Sequence, residues 1–263
     1  MQLKDPADYR LPSRSPYRLI FLTVSGSHAY GFESEDSDYD LRGAHIAPLR
    51  EVLALPAYMK AQETVEISEP KGPGSEEMVT HEIGKFLDLM VRKGGSLVEH
   101  ILSPLVVATS PLHASLARLA PNVVSRRHVK HYFGFAQSQI AMTRRRPDKE
   151  VKVLLYIFRT LLSGLVLAQD GEVIVNLPEL LERAAPPSMV AFVTRLIEAK
   201  RCGVEESALP TGMNGDTAWA MIAMLEDKLR EGLAKTTLPD ETPREVLEAV
   251  NTALFYERMT RCA

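Results

Sequence analysis

A Gly-Ser turn followed by an Asp-x-Asp pair is the feature that most constrains the fold of this chain. Gly26-Ser27 comes directly after an apolar run, Leu19 to Val24, and Asp38 and Asp40 follow roughly ten residues later. The apolar run predicts a buried strand that ends in the turn, and a second strand then carries the acids. Because residues i and i+2 of a strand point to the same face, Asp38 and Asp40 are predicted to project together.

Paired carboxylates at this spacing indicate a site for a divalent cation. Two such charges about 4 Å apart repel by about 4 kcal/mol at an effective dielectric of 20, which a cation between them relieves. Carboxylates are hard oxygen ligands that Mg²⁺ accepts. Glycine lets backbone N–H groups approach a phosphate and serine adds a hydroxyl donor, so Gly26 and Ser27 are candidates for phosphate binding. Arg42 is predicted on the same strand face, where it can form a salt bridge to Asp40 or contact a substrate phosphate.

The longer motif resembles the DNA polymerase β-like nucleotidyltransferase superfamily. Gly26-Ser-His-Ala-Tyr-Gly31 with Ser37-Asp-Tyr-Asp-Leu-Arg-Gly43 is similar to a bacterial and phage branch of predicted nucleotidyltransferases, some of which are linked to RNA repair. The resemblance runs from about residue 22 to about residue 178, through Gly171-Glu-x-x-x-Asn-Leu-Pro178. It implies an α+β fold, with a small mixed sheet like a polymerase β palm and a mostly helical region after it. It also implies Mg²⁺- or Mn²⁺-dependent transfer of an NMP from an NTP, with Ser37 among the nucleotide-binding residues.

A two-metal phosphoryl-transfer site needs a third carboxylate. The sequence offers Glu76, Glu77 and Glu82 around the next predicted strand. The segment Glu77-Met-Val-Thr-His-Glu-Ile-Gly-Lys-Phe86 resembles the branch's strand-to-helix motif and assigns the third metal ligand to Glu77. Glu76 stays open as the alternative, since a slip of one residue would reverse the face of the strand.

The helical half carries a basic and aromatic face that fits a triphosphate. Lys152, Tyr156 and Arg159 are spaced i, i+4 and i+7, so they share one helix face. Lysine supplies a point charge, arginine a bidentate fork and tyrosine a stacking surface. The run Lys152-Val-Leu-Leu-Tyr-Ile-Phe-Arg159 also resembles a helix of the branch, which implies that these three residues bind nucleotide; solvated basic residues are the alternative.

Two basic runs are candidates for RNA contact, because a nucleic-acid site needs several cations to release counterions from phosphates. The alternative is that they are solvated at the ends of one predicted helix. The runs contain Arg126, Arg127 and Lys130, and Arg144, Arg145 and Arg146.

Composition limits the class of protein. The 263 residues are 45% hydrophobic and carry a formal net charge of −3, so any polyanion site must be a local patch. Two distant cysteines, Cys202 and Cys262, match no zinc spacing and fit a reducing compartment. We found no apolar span of 18 residues and no signal peptide, so the expectation is a cytoplasmic protein without a membrane partner. The oligomeric state is left open.

The predicted elements divide the chain into a catalytic domain over residues 1–110 and a helical domain over residues 111–263 that contributes to nucleotide or acceptor binding. Strands followed by runs of helices favour α+β or two domains. The predicted strands are Arg18–Ser25, Tyr39–Ala47, Thr64–Ile67 and Met78–Glu82, with a turn at residues 69–75 joining the last two. The predicted helices are Ile83–Lys93, Ser96–Leu102, Val129–Arg144, Lys149–Gln169, Ser188–Arg201, Thr217–Glu231 and Arg244–Thr260.

Three functional hypotheses follow. The first is an enzyme that transfers an NMP to an acceptor hydroxyl, with an RNA 3′ end favoured over a protein or a small molecule. The second is a degenerate member that binds nucleotide or RNA without turnover. The third is a protein-modifying transferase or antitoxin-like partner in a stress system. The presence of both Asp38 and Asp40 favours the enzyme.

Overall fold

The computed structural model describes residues 3–55, 62–92, 94–144, 150–203 and 209–260. Packing divides the chain into two compact units. The first unit comprises Met1–Gly26, Asp38–Val123 and Thr242–Ala263, and the second comprises Ser27–Ser37 and Val124–Glu241. The functional division predicted at residue 110 stays a prediction; the packing units have other bounds, because the segments 111–123 and 242–263 belong to the first of them.

Five strands and eleven α-helices cover most of the described residues. In chain order they are β1 Arg18–Ser25, α1 Gly26–Tyr30, β2 Tyr39–Ile46, α2 Leu49–Val52, β3 Thr64–Ser68, β4 Glu76–Glu82, α3 Ile83–Arg92, α4 Gly95–Leu102, β5 Val106–Ala108, α5 Pro111–Val123, α6 Arg126–Thr143, α7 Glu150–Asp170, α8 Leu177–Ala184, α9 Pro187–Cys202, α10 Gly215–Lys235 and α11 Arg244–Met259.

The first unit is built on a mixed sheet with the strand order β3-β4-β2-β1-β5. Strand β2 pairs antiparallel with β1 and parallel with β4, while β3 and β4 form an antiparallel hairpin. The hairpin is the one predicted from the turn at residues 69–75. The α+β class with a mixed sheet and a mostly helical C-terminal region is confirmed.

Both faces of the sheet are covered around β1, which explains the unbroken apolar run of this strand. On one face the N-terminal segment packs against the sheet, and Tyr9 and Leu11 lie in a buried cluster with Tyr39 and Leu41. On the other face Phe21 packs edge-to-face on Phe86 of α3 and stacks on His113 of α5. The helix α11 also belongs to this unit, where it packs on α5 and α3.

The second unit is a helical bundle around α7. Helices α6, α8, α9 and α10 all pack on α7. Gly164 allows the closest approach, since a β-carbon there would lie 2.9 Å from Tyr132 of α6 and 3.0 Å from Leu229 of α10. Gly171, at φ 72°, follows α7 at the predicted stop.

The helix α7 corrects one expectation. An 18-residue stretch within Val151–Asp170 has a mean hydropathy of 1.8, so this helix is long and apolar enough to cross a membrane by length and composition alone. In the structure 83% of this window is buried inside the protein, as in the core helix of a bundle. The expectation of no apolar span of this length was therefore wrong, because the span is the centre of the second unit's core.

Other differences are local. Strand β5 was not predicted, because three residues are too few to show an alternation. Helix α4 begins at Gly95, one residue before the start predicted at Ser96. The ends predicted at Lys93 and Lys149, together with Arg145, Arg146 and Cys262, lie outside the described residues.

Candidate active site

Asp40 lies in strand β2 and Asp38 directly precedes the strand. Tyr39 and Leu41 are buried, at 4% and 0% exposure, whereas Asp38, Asp40 and Arg42 are partly exposed. The alternation follows from the core, because Tyr39 and Leu41 pack against the N-terminal segment. The three polar residues therefore share the opposite face.

The register between β2 and β4 distinguishes the acids proposed for the third position. Asp40 pairs with Glu77, and Tyr39 pairs with Glu76. Directly paired residues point to the same face of a sheet, so Glu77 lies beside Asp40 and Glu76 lies on the buried side. Glu82 is further along β4, where its carboxylate receives Arg258 at 2.8 Å and the backbone N–H of Gly84 at 2.7 Å.

The carboxylate of Glu76 binds the N-terminal segment. Its buried carboxylate receives hydrogen bonds from Lys4 Nζ at 3.0 Å, Arg10 N at 2.9 Å and Leu11 N at 3.0 Å. Burial by itself raises the pKa of Glu76, but the hydrogen bonds from Leu11, Lys4 and Arg10 outweigh it and lower the pKa below its ordinary value. The carboxylate therefore anchors the N-terminal segment to the back of the sheet.

Arg42 bridges the two acids on the open face. Its Nη2 atom lies 2.9 Å from Asp40 Oδ1 and 2.7 Å from Glu77 Oε1. Its Nη1 atom donates to the carbonyls of Leu41 at 3.1 Å and Glu77 at 3.3 Å. The salt bridge to Asp40 was one of the two predicted roles of Arg42, and the contact with Glu77 was not predicted.

Asp38 is oriented by a serine that sequence reasoning missed. Ser75 Oγ donates to Asp38 Oδ1 at 2.5 Å, and Tyr39 N donates to the carbonyl of Ser75 at 2.8 Å. Ser75 directly precedes Glu76, so the start of β4 contributes to the surroundings of Asp38 and Asp40 alike. Among residues 3–55, 62–92, 94–144, 150–203 and 209–260, no three His, Cys, Asp or Glu side chains are gathered at metal-binding distance.

Gly26 lies against the aspartate pair. It has φ 65°, and a β-carbon built on it would lie 2.0 Å from Asp40 Oδ2. Only glycine combines this backbone conformation with so close an approach. The turn predicted from Gly26-Ser27 is therefore explained by the sheet: the backbone must pass directly over a carboxylate.

The side chains on this face are of the types that bind a divalent cation. Asp38, Asp40 and Glu77 offer hard oxygen donors on one face of the sheet, and the absence of a side chain at Gly26 allows the backbone to pass close to Asp40. Arg42 shows that Asp40 and Glu77 direct oxygen atoms at one common point, because a single Nη2 atom contacts both.

Ser27 and Ser37 lie at the two ends of the short segment that belongs to the second unit. Ser27 is 7% exposed and Ser37 is 1% exposed. The Ser37 hydroxyl accepts a hydrogen bond from Ser34 N and contacts Ser34 Oγ, which receives Lys200 Nζ at 2.6 Å. The segment is thus held by buried polar contacts within its own unit; nucleotide binding by either serine stays a prediction.

The predicted face of α7 packs on that same segment. Arg159, 4% exposed, places its guanidinium carbon 4.0 Å from the ring centroid of Tyr30. Tyr156 contacts the rings of Tyr30 and Phe32 edge-on, at centroid distances of 5.6 and 5.4 Å. Lys152 is partly exposed. The contacts of Tyr30 and Phe32 were not predicted, although Tyr30 lies in the Gly26–Gly31 motif and Phe32 directly follows it.

The basic runs differ in their surroundings. Arg126 pairs with Asp240 at 3.2 Å and Arg127 pairs with Glu241, so much of their charge is balanced inside the second unit. Lys130 and Arg144 are exposed, and Arg144 lies over the Trp219 ring at 5.5 Å.

A mixed sheet that carries a glycine turn against paired carboxylates is typical of polymerase β-like nucleotidyltransferases. The model of one family, the RNA repair pathway DNA polymerase beta family, matches residues 9–255. The chain belongs to this family. The resemblance found in the Gly26–Gly43 motif is confirmed by this match, and the match reaches well beyond the 22–178 segment.

Two relatives extend the comparison. The uncharacterized protein MJ0002 of Methanocaldococcus jannaschii is 32% identical over 153 residues, which are 58% of this chain and 61% of that protein. The chain therefore spans about three fifths of that relative. The uncharacterized protein YcgL of Bacillus subtilis is 25% identical over 72% of each chain.

One solved structure aligns with most of this chain at a low score. The nucleotidyltransferase-like protein from Exiguobacterium sibiricum aligns over 95% of this chain and 76% of its own, with 10% identity and a TM-score of 0.29. Because that score is low, the family assignment depends on the sequence match.

Proposed function

We propose that this protein is a divalent-metal-dependent nucleotidyltransferase that moves an NMP from an NTP to an acceptor hydroxyl and releases pyrophosphate. One observation carries the proposal: the β2–β4 register sets Asp40 beside Glu77, and both direct oxygen atoms at the same Arg42 nitrogen. Membership of the RNA repair pathway DNA polymerase beta family supports the same chemistry.

Asp38, Asp40 and Glu77 are proposed to hold Mg²⁺ or Mn²⁺. The bound metal neutralises phosphate charge and lowers the pKa of the attacking hydroxyl. Ser75, through its hydrogen bond to Asp38, fixes the direction in which that carboxylate points.

Other residues of the chain are proposed to position the nucleotide. Gly26 lets the backbone of the turn approach Asp40 closely, and main-chain N–H groups of this turn are the proposed donors to a phosphate. The acceptor oxygen bonds to the α-phosphorus, the bond to the pyrophosphate oxygen breaks, and the acceptor proton passes to water. Ser27, Ser37, Arg42, Lys152, Tyr156 and Arg159 are the proposed nucleotide contacts.

The acceptor is proposed to be an RNA 3′ end. The family's description as part of an RNA repair pathway supports this choice. Of the two basic runs, Lys130 and Arg144 are exposed in the second unit and are the proposed contacts with the RNA backbone, whereas Arg126 and Arg127 are paired with acids. A cytoplasmic location stays a prediction.

The test is a labelling reaction. The protein is incubated with each α-³²P-labelled NTP, Mg²⁺ or Mn²⁺, and a mixed RNA pool, and the products are separated on denaturing gels. Asp38→Asn and Asp40→Asn are the variants, because they keep the side-chain shape and remove the charge. Asp88→Asn is the matched control, since Asp88 is an exposed acid of the same unit, paired with Arg92 on α3.

The expected result is label on RNA with the wild type and Asp88→Asn, and at least a hundredfold less with the two site variants. Label on the protein itself would support the transferase activity but would show that the acceptor is a protein and not RNA. If the protein binds NTP but transfers no label in any of these reactions, the proposed transferase activity is contradicted and a binding module is favoured.

A further inference from the structure

Arg42 occupies the point at which Asp40 and Glu77 converge. Its Nη2 atom contacts both carboxylates, at 2.9 and 2.7 Å, and its side chain is only 24% exposed. The two acids come from neighbouring parallel strands, so their separation is set by the sheet and not by flexible loops.

The electrostatics of this arrangement exclude simultaneous occupancy. A guanidinium and a divalent cation on the same two oxygen atoms would be like charges within a few ångströms of each other, which costs several kcal/mol at protein dielectric values. A cation that takes Asp40 Oδ1 and Glu77 Oε1 as ligands must therefore replace the Arg42 nitrogen.

The displaced guanidinium would still lie on the face of the sheet that carries the two aspartates. Arg42 shares the strand face of Asp38 and Asp40, and Nη1 donates to the backbone carbonyls of Leu41 and Glu77. An arginine released from carboxylates has a planar fork of donors that matches phosphate oxygens.

We propose that Arg42 is an internal counter-cation: it neutralises Asp40 and Glu77 before the metal binds, competes with the metal for them, and passes to the nucleotide phosphates when the metal takes its place. The inference rests on the proposed function, since it assumes that these acids are the metal ligands. It makes metal and nucleotide binding cooperative, because the nucleotide offers Arg42 a new anionic partner.

If Arg42 competes with the metal, removing its positive charge should increase the affinity of the site for the metal. Arg42→Gln is the main variant, because its amide can still donate to the neighbouring carbonyls without a charge. Arg42→Met removes the donors as well, and Arg42→Lys keeps the charge without the fork. Arg92→Met, which removes an exposed arginine of the same unit, is the control.

Binding of Mn²⁺ alone is measured from the electron paramagnetic resonance signal of the free ion. Arg42→Gln and Arg42→Met should bind Mn²⁺ roughly three- to tenfold more tightly than the wild type, as expected for the loss of two partly exposed ion pairs. Arg42→Lys should fall between them and the wild type, and Arg92→Met should match the wild type. With Mn²⁺ saturating, a non-hydrolysable α,β-methylene NTP analogue should bind Arg42→Gln at least fivefold more weakly than the wild type.

The outcomes separate the two proposals. If Asp40→Asn binds Mn²⁺ as the wild type does, the proposed metal site is wrong. If Asp40→Asn loses Mn²⁺ binding while Arg42→Gln and Arg42→Met bind it no more tightly than the wild type, the metal site stands and the competition by Arg42 is overturned. Unchanged affinity of Arg42→Gln for the NTP analogue would overturn the transfer of Arg42 to phosphate.

Discussion

Asp40 lies so close to Gly26 that a β-carbon at residue 26 would stand 2.0 Å from Asp40 Oδ2. Since real side-chain atoms do not approach so closely, the residue before the serine of the turn is restricted to glycine by an acid that follows it in the next strand. The contact links the two halves of the sequence motif directly. Gly26 also has φ 65°, a backbone conformation in which other residues are strained.

Gly26→Ala should damage the site and the fold together. The positive φ alone costs about 1–2 kcal/mol for alanine, and the clash must in addition move Asp40. We expect the free energy of unfolding to fall by roughly 2–3 kcal/mol and transferase activity to be lost. Urea unfolding and the labelling reaction measure the two effects.

Gly212→Ala is the matched control for this substitution. Gly212 has φ 80°, and a β-carbon added to it would meet no atom within 4 Å, so it carries the backbone cost without a clash. The control should lose only about 1–2 kcal/mol and keep full activity. Equal losses of stability and activity in the two variants would contradict the role assigned to the contact between Gly26 and Asp40.

Two neighbouring glutamates should behave in opposite ways. Glu76→Gln removes the charge from a fully buried carboxylate that receives three hydrogen bonds, so we expect a loss of about 2–3 kcal/mol in unfolding free energy. Glu77→Gln changes a side chain that is 51% exposed, so stability should stay within about 0.5 kcal/mol while Mn²⁺ binding and transfer are lost. A reversed pattern would show that Glu76 is the metal ligand.

Local patterns in the sequence were sufficient to predict the parts of the site that lie on one strand. The alternation of Asp38, Tyr39, Asp40 and Leu41 is a property of any half-buried strand, and the core residues fix which face is open. The choice of Glu77 over Glu76 as the neighbour of Asp40 follows the same rule, once the β2–β4 pairing is known.

Contacts between distant segments were not predictable in this way. The contact of Arg42 with Glu77 requires the register of two strands that are far apart in the sequence, with β3 between them. Helix α11 has the pattern of one more amphipathic helix, yet Arg258 pairs with Glu82 of β4 and places this helix in the first unit. Periodicity identifies a buried helix face without identifying what covers it.

The stability of the first unit should decrease in mild acid. Burial lowers the pKa of His45, His81 and His113 below the ordinary value of 6.5, against weaker opposing effects such as the carbonyl of Gln62 on His45. The unfolded chain therefore takes up protons that the folded chain resists, so the contribution of these residues is complete above pH 6.5 and is lost as the pH falls through the lowered values.

Urea unfolding at pH 7.5 and pH 5.5 measures this effect. The midpoint should be lower at pH 5.5, and His113→Gln, which keeps a neutral hydrogen-bonding side chain beside Phe21, should reduce the difference. Equal midpoints for the wild type at the two pH values would contradict the prediction.

The contact between Arg159 and Tyr30 should be worth a measurable coupling energy in the second unit. The guanidinium lies over the ring at 4.0 Å and Arg159 is 4% exposed, conditions in which a cation–π contact contributes about 1–2 kcal/mol. Arg159→Lys keeps the charge but loses the planar stack, and Tyr30→Leu removes the ring. A double-mutant cycle by urea unfolding should give a coupling of about 1 kcal/mol, whereas additive losses would show that the two side chains act independently.

Lys152→Ala, on the same helix face but partly exposed, should leave stability within about 0.5 kcal/mol. If the predicted nucleotide contact of Lys152 is correct, that variant should nonetheless bind NTP several-fold more weakly.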